Sequence, residues 1–188
     1  MNTISPRIPR VLIDTTNLLS ALRVDGHCRN LLRLARLGTI YEPVITNVCL
    51  WELYRNACGK GIKGYVYTYD EVEEFLTAFV YPLLGRDGAV NGLIGRHDIE
   101  LAIRANRPLG ETLVTITGCS EEQALHIITG NGMELPLEKY DAQDFHVWAS
   151  AVEQHVDAIL TANTKRFPSQ IGNIQRVDPR DFYTYLGI

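Results

Sequence analysis

Short apolar runs alternate along this chain with longer segments whose apolar residues recur at helical spacing. Residues 10–14 and 157–160 are typical of buried strands, and residues 40–46 predict another strand. Residues 27–37 and 48–58 carry apolar side chains mainly on one side, which predicts amphipathic helices. Alternating strands and helices favour an α/β fold with a mostly parallel sheet and helices on both faces.

The C-terminal residues continue this alternation, whereas the stretch from 85 to 138 is less regular. Residues 70–84 predict a helix, and residues 174–177 predict a last strand followed by a short helix. Inside the irregular stretch we predict a short helix over 98–106, a strand over 113–117 and a helix from Ser120 to about Thr129, which a capping box opens. We therefore expect one domain over residues 1–188, with an added helical lobe around 85–138.

Composition places the chain among ordinary globular proteins. Of its 188 residues, 46% are hydrophobic and 21% are charged. The longest apolar runs are far shorter than the roughly 20 residues that a membrane helix needs, so we expect no membrane association. The first ten residues include two prolines and no apolar segment typical of a signal peptide, which leads us to expect a cytoplasmic protein.

Charge and cysteine spacing exclude several kinds of site. A formal net charge of −4 argues against a protein that simply coats nucleic acid, although it is compatible with a metal-dependent nuclease. The four cysteines have neither zinc-site nor CxxC spacing, so we expect reduced thiols and no zinc. The glycine- and lysine-rich segment 59–64 lacks the spacing of a phosphate-binding loop and is predicted to be a mobile loop.

Acidic and polar side chains follow the predicted strands. Asp14 ends the first strand, Glu52 lies early in the helix after the second, and Thr161 and Asn163 follow the strand at 157–160. Because the carboxyl ends of parallel strands meet at one edge of a sheet, we expect these side chains to converge. Carboxylates without Cys or His ligands suit hard ions such as Mg²⁺ or Mn²⁺.

A second acidic group opens the helix that precedes residues 157–160. Asp141 and Asp144 are three residues apart, which places them on one face of its first turn. His146 lies two residues after Asp144 and is expected to point elsewhere. Each acid also has a structural interpretation. Asp14 and Asp141 are residues of a type favoured as helix N-caps. Glu52 and Asp144 lie near helix N-termini, where the helix dipole stabilises a negative charge.

Three segments resemble the PIN domain ribonucleases, particularly bacterial PIN proteins of the toxin–antitoxin type. VLIDTTNLLSAL resembles the first strand of that family with its leading Asp, and ITNVCLWELYRN resembles the motif that carries a Glu on a helix. DAQDFHVWASAVEQHVDAILTANTKRF resembles the acidic helix start, followed by a strand that ends in a T-x-[ND] turn. The resemblance implies a three-layer α/β/α PIN-like domain and covers about half of the chain.

The resemblance also implies roles for individual residues. Asp14, Glu52 and Asp144 would be the catalytic, metal-binding acids, and Asp141 would be an additional group that holds metal or its waters. Asn163 takes the fourth motif position, beside Thr161. Thr16 departs from the family pattern, which has Asn or Ser at this position. Its hydroxyl would still orient Asp14.

The leading hypothesis is a Mg²⁺- or Mn²⁺-dependent endoribonuclease, the toxin of a toxin–antitoxin pair. The resemblance then implies an RNA substrate, a homodimer and a cognate antitoxin protein. Basic residues are candidates for contacts with the RNA backbone: Arg29, Arg33, Arg36, Lys60, Lys63, Lys165 and Arg166.

Two alternatives remain. One is a catalytically silent PIN-like module that binds RNA or protein. The other is a phosphohydrolase that uses Asp14 as its nucleophile, which is disfavoured because the haloacid type needs an Asp at the position of Thr16.

Overall fold

The computed structural model is an α/β structure built on a mostly parallel sheet. It describes residues 7–84, 89–90, 108–117, 119–129, 144–164 and 167–188.

Six strands of the described chain form one sheet, in the order β3-β2-β1-β4-β6-β5. All neighbouring pairs are parallel except β5 with β6, which is an antiparallel pair at one edge. The strands are β1 (Arg10–Ile13), β2 (Glu42–Thr46), β3 (Ala89–Val90), β4 (Ala158–Leu160), β5 (Gln170–Ile171) and β6 (Ile174–Val177).

Helices connect these strands and extend the chain between β3 and β4. They are α1 (Thr15–Arg23), α2 (His27–Ala35), α3 (Asn47–Tyr54), α4 (Tyr69–Phe75), α5 (Leu109–Thr117), α6 (Glu121–Thr129), α7 (Phe145–Glu153) and α8 (Phe182–Leu186). The segments Arg55–Lys60 and Leu76–Val80 continue α3 and α4 as π-helix, and a 3₁₀ turn covers Tyr81–Leu83.

The central strands β1 and β4 are buried on both faces of the sheet, since their consecutive side chains point to opposite sides and nearly all of them are buried. Val11 and Ile13 of β1 belong to a large core with residues from α1, α2 and α3. Leu12 lies between them in sequence and packs in a separate core with Val147 and Trp148 of α7. Helices on both faces are compatible with a three-layer α/β/α arrangement.

Most predicted elements are confirmed, including the helix after Ser120. The Ser120 hydroxyl accepts from the backbone N–H of Gln123 at 3.1 Å, and the Gln123 side chain accepts from the backbone N–H of Ser120 at 2.9 Å. This reciprocal pair of hydrogen bonds is the predicted capping box, and α6 begins at the next residue.

The predicted strand at 113–117 is wrong, since these residues end helix α5. Their β-branched composition suggested a strand, but two threonine hydroxyls bond carbonyls four residues earlier. Thr112 donates to the carbonyl of Pro108 at 3.0 Å, and Thr115 donates to that of Glu111 at 2.8 Å. Leu113 is also buried in a small core with Ala124 of α6, a tertiary contact that local propensity does not contain.

The remaining expectations meet the structure in different ways. The segment 59–64 leads into a tight turn, in which Ile62 and Tyr65 exchange two backbone hydrogen bonds of 2.7 and 3.1 Å. The helix predicted over 98–106 lies outside the described residues, and the single-domain assignment with its lobe stays a prediction. All four cysteines have free thiols. A search of the described helices found none with the length and apolar character to span a membrane.

The second core supplies the first testable prediction. Leu12 is 0% exposed, so Leu12→Ala removes buried methyl groups and leaves a cavity. We expect the free energy of unfolding to fall by about 2–5 kcal/mol, measured by urea denaturation. Leu37 is 62% exposed, and Leu37→Ala as the matched control should change it by less than about 0.5 kcal/mol. Equal effects of the two substitutions would contradict the assignment of Leu12 to the core.

Candidate functional site

Three parallel strands end side by side and deliver polar residues to the same edge of the sheet. β1 lies between β2 and β4, with Leu12 beside Val44 on one side and beside Ile159 on the other. The residue after β1 is Asp14, and the residue after β4 is Thr161. Thr46, the last residue of β2, caps α3 by accepting from the backbone N–H of Cys49. This edge therefore gathers the start of α1, the start of α3 and the turn after β4.

Asp14 is a buried carboxylate held by hydroxyl groups. Its side chain accepts from Thr16 Oγ1 at 2.6 Å, from Thr161 Oγ1 at 2.7 Å and more weakly from the Thr16 backbone N–H at 3.4 Å. The last of these bonds makes Asp14 the N-cap of α1, as the structural interpretation proposed. All three bonds end on Oδ2, and none of them involves Oδ1.

Burial makes the charge on Asp14 costly. Desolvation raises the pKa of this carboxyl above its ordinary value of 3.8, while the hydroxyls of Thr16 and Thr161 oppose the rise. The negative charge of Glu52 raises the same pKa further. The fold thus disfavours the ionised form of Asp14.

The turn after β4 links Asp14 to Asp144. The Thr161 hydroxyl, which donates to Asp14, accepts from the backbone N–H of Asn163 at 3.0 Å. The Asn163 amide then donates to Asp144 Oδ2 at 2.9 Å. Asp144 is the N-cap residue of α7, but its side chain makes no capping hydrogen bond. A purely capping role therefore does not account for Asp144.

Glu52 is held from two sides by residues of other elements. Its Oε2 accepts from the Thr15 hydroxyl of α1 at 2.6 Å, and its Oε1 lies 3.2 Å from Nε2 of His146 on α7. The Glu52 side chain is 17% exposed, whereas that of His146 is 0% exposed. Thr15, Glu52 and His146 form a connection, here called the clamp, that joins α1, α3 and α7.

The expectation that His146 points away from the acids is wrong. It assumed that Asp144 lies inside a regular helix, where residues two apart face different directions. The helix begins only at Phe145, so Asp144 lies before it and the helical spacing does not fix the direction of its side chain relative to His146. His146 consequently lies beside Glu52. Asp144 is instead linked to Asp14 through Asn163 and Thr161. Sequence reasoning missed His146, and its only signal was the proximity to Asp144.

The two partners of the clamp change each other's pKa in opposite directions. Burial alone would raise the pKa of Glu52, but the charge of His146 and the hydroxyl of Thr15 hold it below its usual value. Burial alone would lower the pKa of His146, but Glu52, Asp14 and Asp144 raise it. The carboxylates thus act on one buried ring, and that ring is the positive partner of Glu52.

Other predicted residues are engaged elsewhere or lie outside the described chain. Arg29 donates to the carbonyls of Ala21 and Leu22 at the end of α1, and Arg33 pairs with Asp25 at 2.7 Å. These contacts explain the two arginines as structural groups rather than as part of an open basic stripe. Asp141, Lys165 and Arg166 lie outside the described residues.

Metal-ligand geometry and similarity to known proteins give two further findings. Among the described residues, no three His, Cys, Asp or Glu side chains lie close enough together to form a metal site by themselves. Comparisons with protein-family models, with curated proteins and with solved structures found no match.

Because burial raises the pKa of Asp14, we predict that its charge destabilises the fold. We expect Asp14→Asn to raise the melting temperature at pH 7, because Asn is an equally good N-cap and carries no charge to desolvate. Since the folded pKa is raised, the cost of Asp14 develops as pH rises from 3.8 through the folded pKa. The stabilisation should therefore be full above the folded pKa and should vanish below pH 3.8 in urea denaturation series. An unchanged or lower stability at pH 7 would contradict this.

The bridging role of Thr161 can be tested by removing its hydroxyl. Thr161 is 0% exposed, and Thr161→Val leaves Asp14 without one donor and the Asn163 N–H without its acceptor. We expect a loss of about 1–3 kcal/mol in the free energy of unfolding. Thr184 is exposed, so Thr184→Val serves as the matched control and should stay within about 0.5 kcal/mol of wild type. A loss no larger than that of the control would remove the bridge from the site.

Proposed function

We propose that the protein is a Mg²⁺- or Mn²⁺-dependent endoribonuclease of PIN-like fold. The observation that supports this most strongly is the hydrogen bond of 2.6 Å from the hydroxyl of Thr15, the neighbour of Asp14 in the chain, to Glu52, which brings the two acids together at the carboxyl edge of a parallel sheet. A like charge beside a desolvated carboxylate is unfavourable, and such arrangements are typical of functional sites rather than of structural ones. The resemblance of three segments to PIN domain ribonucleases supports the same proposal.

The chemistry of the side chains fits a divalent ion. Asp14, Glu52 and Asp144 offer carboxylate oxygens, and the hydrogen bonds to Asp14 all end on Oδ2. Thr15 and Asn163 orient the other two acids from behind, as groups around a metal site do. With two or three carboxylates as ligands, the remaining positions of a Mg²⁺ or Mn²⁺ ion would be filled by water or phosphate oxygens. Asp141 would be an additional ligand.

The residues of the site would each contribute to hydrolysis of a phosphodiester bond. A bound divalent ion supplies activation of water and stabilises the charge on the leaving oxygen. Asp14 and Glu52 hold negative charge where the ion is needed, and the Thr16 and Thr161 hydroxyls fix the orientation of Asp14. Asn163 keeps Asp144 directed at the same edge. The products would be a 3′-hydroxyl and a 5′-phosphate, as the resemblance implies.

A toxin of a toxin–antitoxin pair is the most specific form of this proposal. It includes a homodimer and an antitoxin protein that blocks the site. Among the candidate RNA contacts, Arg36, Lys60 and Lys63 are the better ones, because Arg29 and Arg33 are occupied by structural partners. Arg36 and Lys60 are exposed, and Lys63 lies in the tight turn after α3 and its π-helical extension.

A catalytically silent binding module is the alternative, and one observation favours it. Every acid of the group has a partner within the protein: threonine hydroxyls for Asp14, Thr15 and His146 for Glu52, and Asn163 for Asp144. Such a set would be stable without an ion. The two functions differ in whether RNA is cut.

The decisive experiment measures cleavage of RNA with Mg²⁺ or Mn²⁺ by wild type and by Asp14→Asn and Asp144→Asn. We expect each substitution to reduce the rate by about 100-fold or more, because each removes a charged oxygen ligand. Glu74→Gln removes an exposed negative charge from α4 and is the matched control, which should cleave like wild type.

Three outcomes of this experiment distinguish the nuclease from the silent binding module and test the site. Cleavage that requires the ion and both acids supports the nuclease. Equal cleavage by wild type and both variants would sink the site as described. RNA binding without cleavage by the wild-type protein would favour the silent module.

A further inference from the structure

His146 is a buried ring whose nitrogens lack hydrogen bonds. The side chain is 0% exposed, and within the described part of the chain neither Nδ1 nor Nε2 has a hydrogen-bond partner. Buried polar atoms are nearly always paired, so an unpaired pair of ring nitrogens calls for a specific explanation. An ion or a water between the ring and its neighbours is a common one.

The distance from the His146 ring to Glu52 distinguishes between these explanations. Nε2 lies 3.2 Å from Glu52 Oε1, yet no hydrogen bond joins the two atoms. A nitrogen and an oxygen that lie this close without a hydrogen bond between them can both bind a third atom. Ligands at right angles, each about 2.1 Å from one ion, lie about 3.0 Å apart. The observed separation is close to that edge of a coordination shell.

We propose that His146 Nε2 and Glu52 Oε1 bind the same divalent ion, and that His146 makes the site prefer Mn²⁺ to Mg²⁺. The place of this ion rests on the proposed function, because it is the ion that the acids would hold. Its selectivity is a separate inference from the ring nitrogen. Imidazole is a good ligand for first-row transition ions, whereas Mg²⁺ takes oxygen ligands.

The surroundings of His146 support a positive charge at this point. The carboxylate of Glu52 lies 3.2 Å from the ring, and Asp144 is linked through Asn163 and Thr161 to Asp14 at the same edge of the sheet. A divalent ion at this point would be attracted by these three carboxylates.

A plain ion pair between His146 and Glu52 is the competing explanation. It accounts for the 3.2 Å distance and for the opposite pKa shifts. It predicts no preference among divalent ions that depends on the ring. Measurements of ion binding therefore separate the two explanations.

The first test titrates Mn²⁺ into the full protein without RNA, follows the free ion by electron paramagnetic resonance, and then displaces it with Mg²⁺. We expect wild type to bind Mn²⁺ at least about tenfold more tightly than Mg²⁺. His146→Gln should weaken Mn²⁺ binding by about 10–100-fold and change Mg²⁺ binding far less. The exposed His27, whose ring packs on Tyr183, provides His27→Gln as a control that should bind both ions like wild type.

A second measurement needs no substitution and so does not depend on the folding of a buried variant. Pulsed electron paramagnetic resonance of Mn²⁺ bound to the wild-type protein should show coupling to a histidine nitrogen. The coupling should persist in His27→Gln. Mn²⁺ bound to the wild-type protein without any nitrogen coupling would overturn the proposal, as would the same Mn²⁺-to-Mg²⁺ preference in folded His146→Gln and wild type.

These readouts fail independently of the nuclease proposal. A nitrogen-coupled Mn²⁺ in a protein that never cuts RNA would leave the ion site standing and remove the nuclease. Conversely, ion-dependent cleavage with no role for the ring would remove only His146. Absence of Mn²⁺ and Mg²⁺ binding by wild type would overturn both.

Discussion

The clamp between Thr15, Glu52 and His146 is the interaction on which this edge of the structure depends. It joins the first helix, the helix after β2 and the helix before β4 through one carboxylate. Glu52 gains a hydroxyl donor on one oxygen and a positive ring beside the other. A buried ion pair of this kind contributes little net stability against its desolvation, but the loss of either partner leaves an uncompensated charge. The clamp therefore ties three helices to one another at this edge of the sheet.

The same edge holds Asp14 at a cost. Its burial and the charge of Glu52 both disfavour the ionised carboxylate, and the hydroxyls of Thr16 and Thr161 and the charge of His146 oppose them. Locally unfavourable groups of this sort concentrate at functional sites, where stability is exchanged for reactivity. Below this edge, the two faces of the sheet pack into apolar cores.

Much of the architecture was predictable, and the failures have identifiable causes. Apolar runs located β1, β2 and β4 because burial on both faces of a parallel sheet demands continuous apolar strands. The capping box located α6 because its hydrogen bonds are local. The segment 113–117 was assigned to a strand because composition cannot report that Leu113 packs on Ala124. His146 was dismissed because its direction depends on where α7 begins.

By itself the sequence determined which residue types stand at the ends of the strands, and therefore which acids were candidates. It also determined the parallel α/β class, since both signals depend on periodicity and on neighbours in the chain. Only the tertiary structure decided which of those residues meet. Asp14 reaches Thr161, Glu52 reaches His146 and Asp144 reaches Asn163 across 147, 94 and 19 positions of sequence. Such contacts arise from strand order and helix placement, so they turn candidate acids into one electrostatically coupled group and add the buried ring.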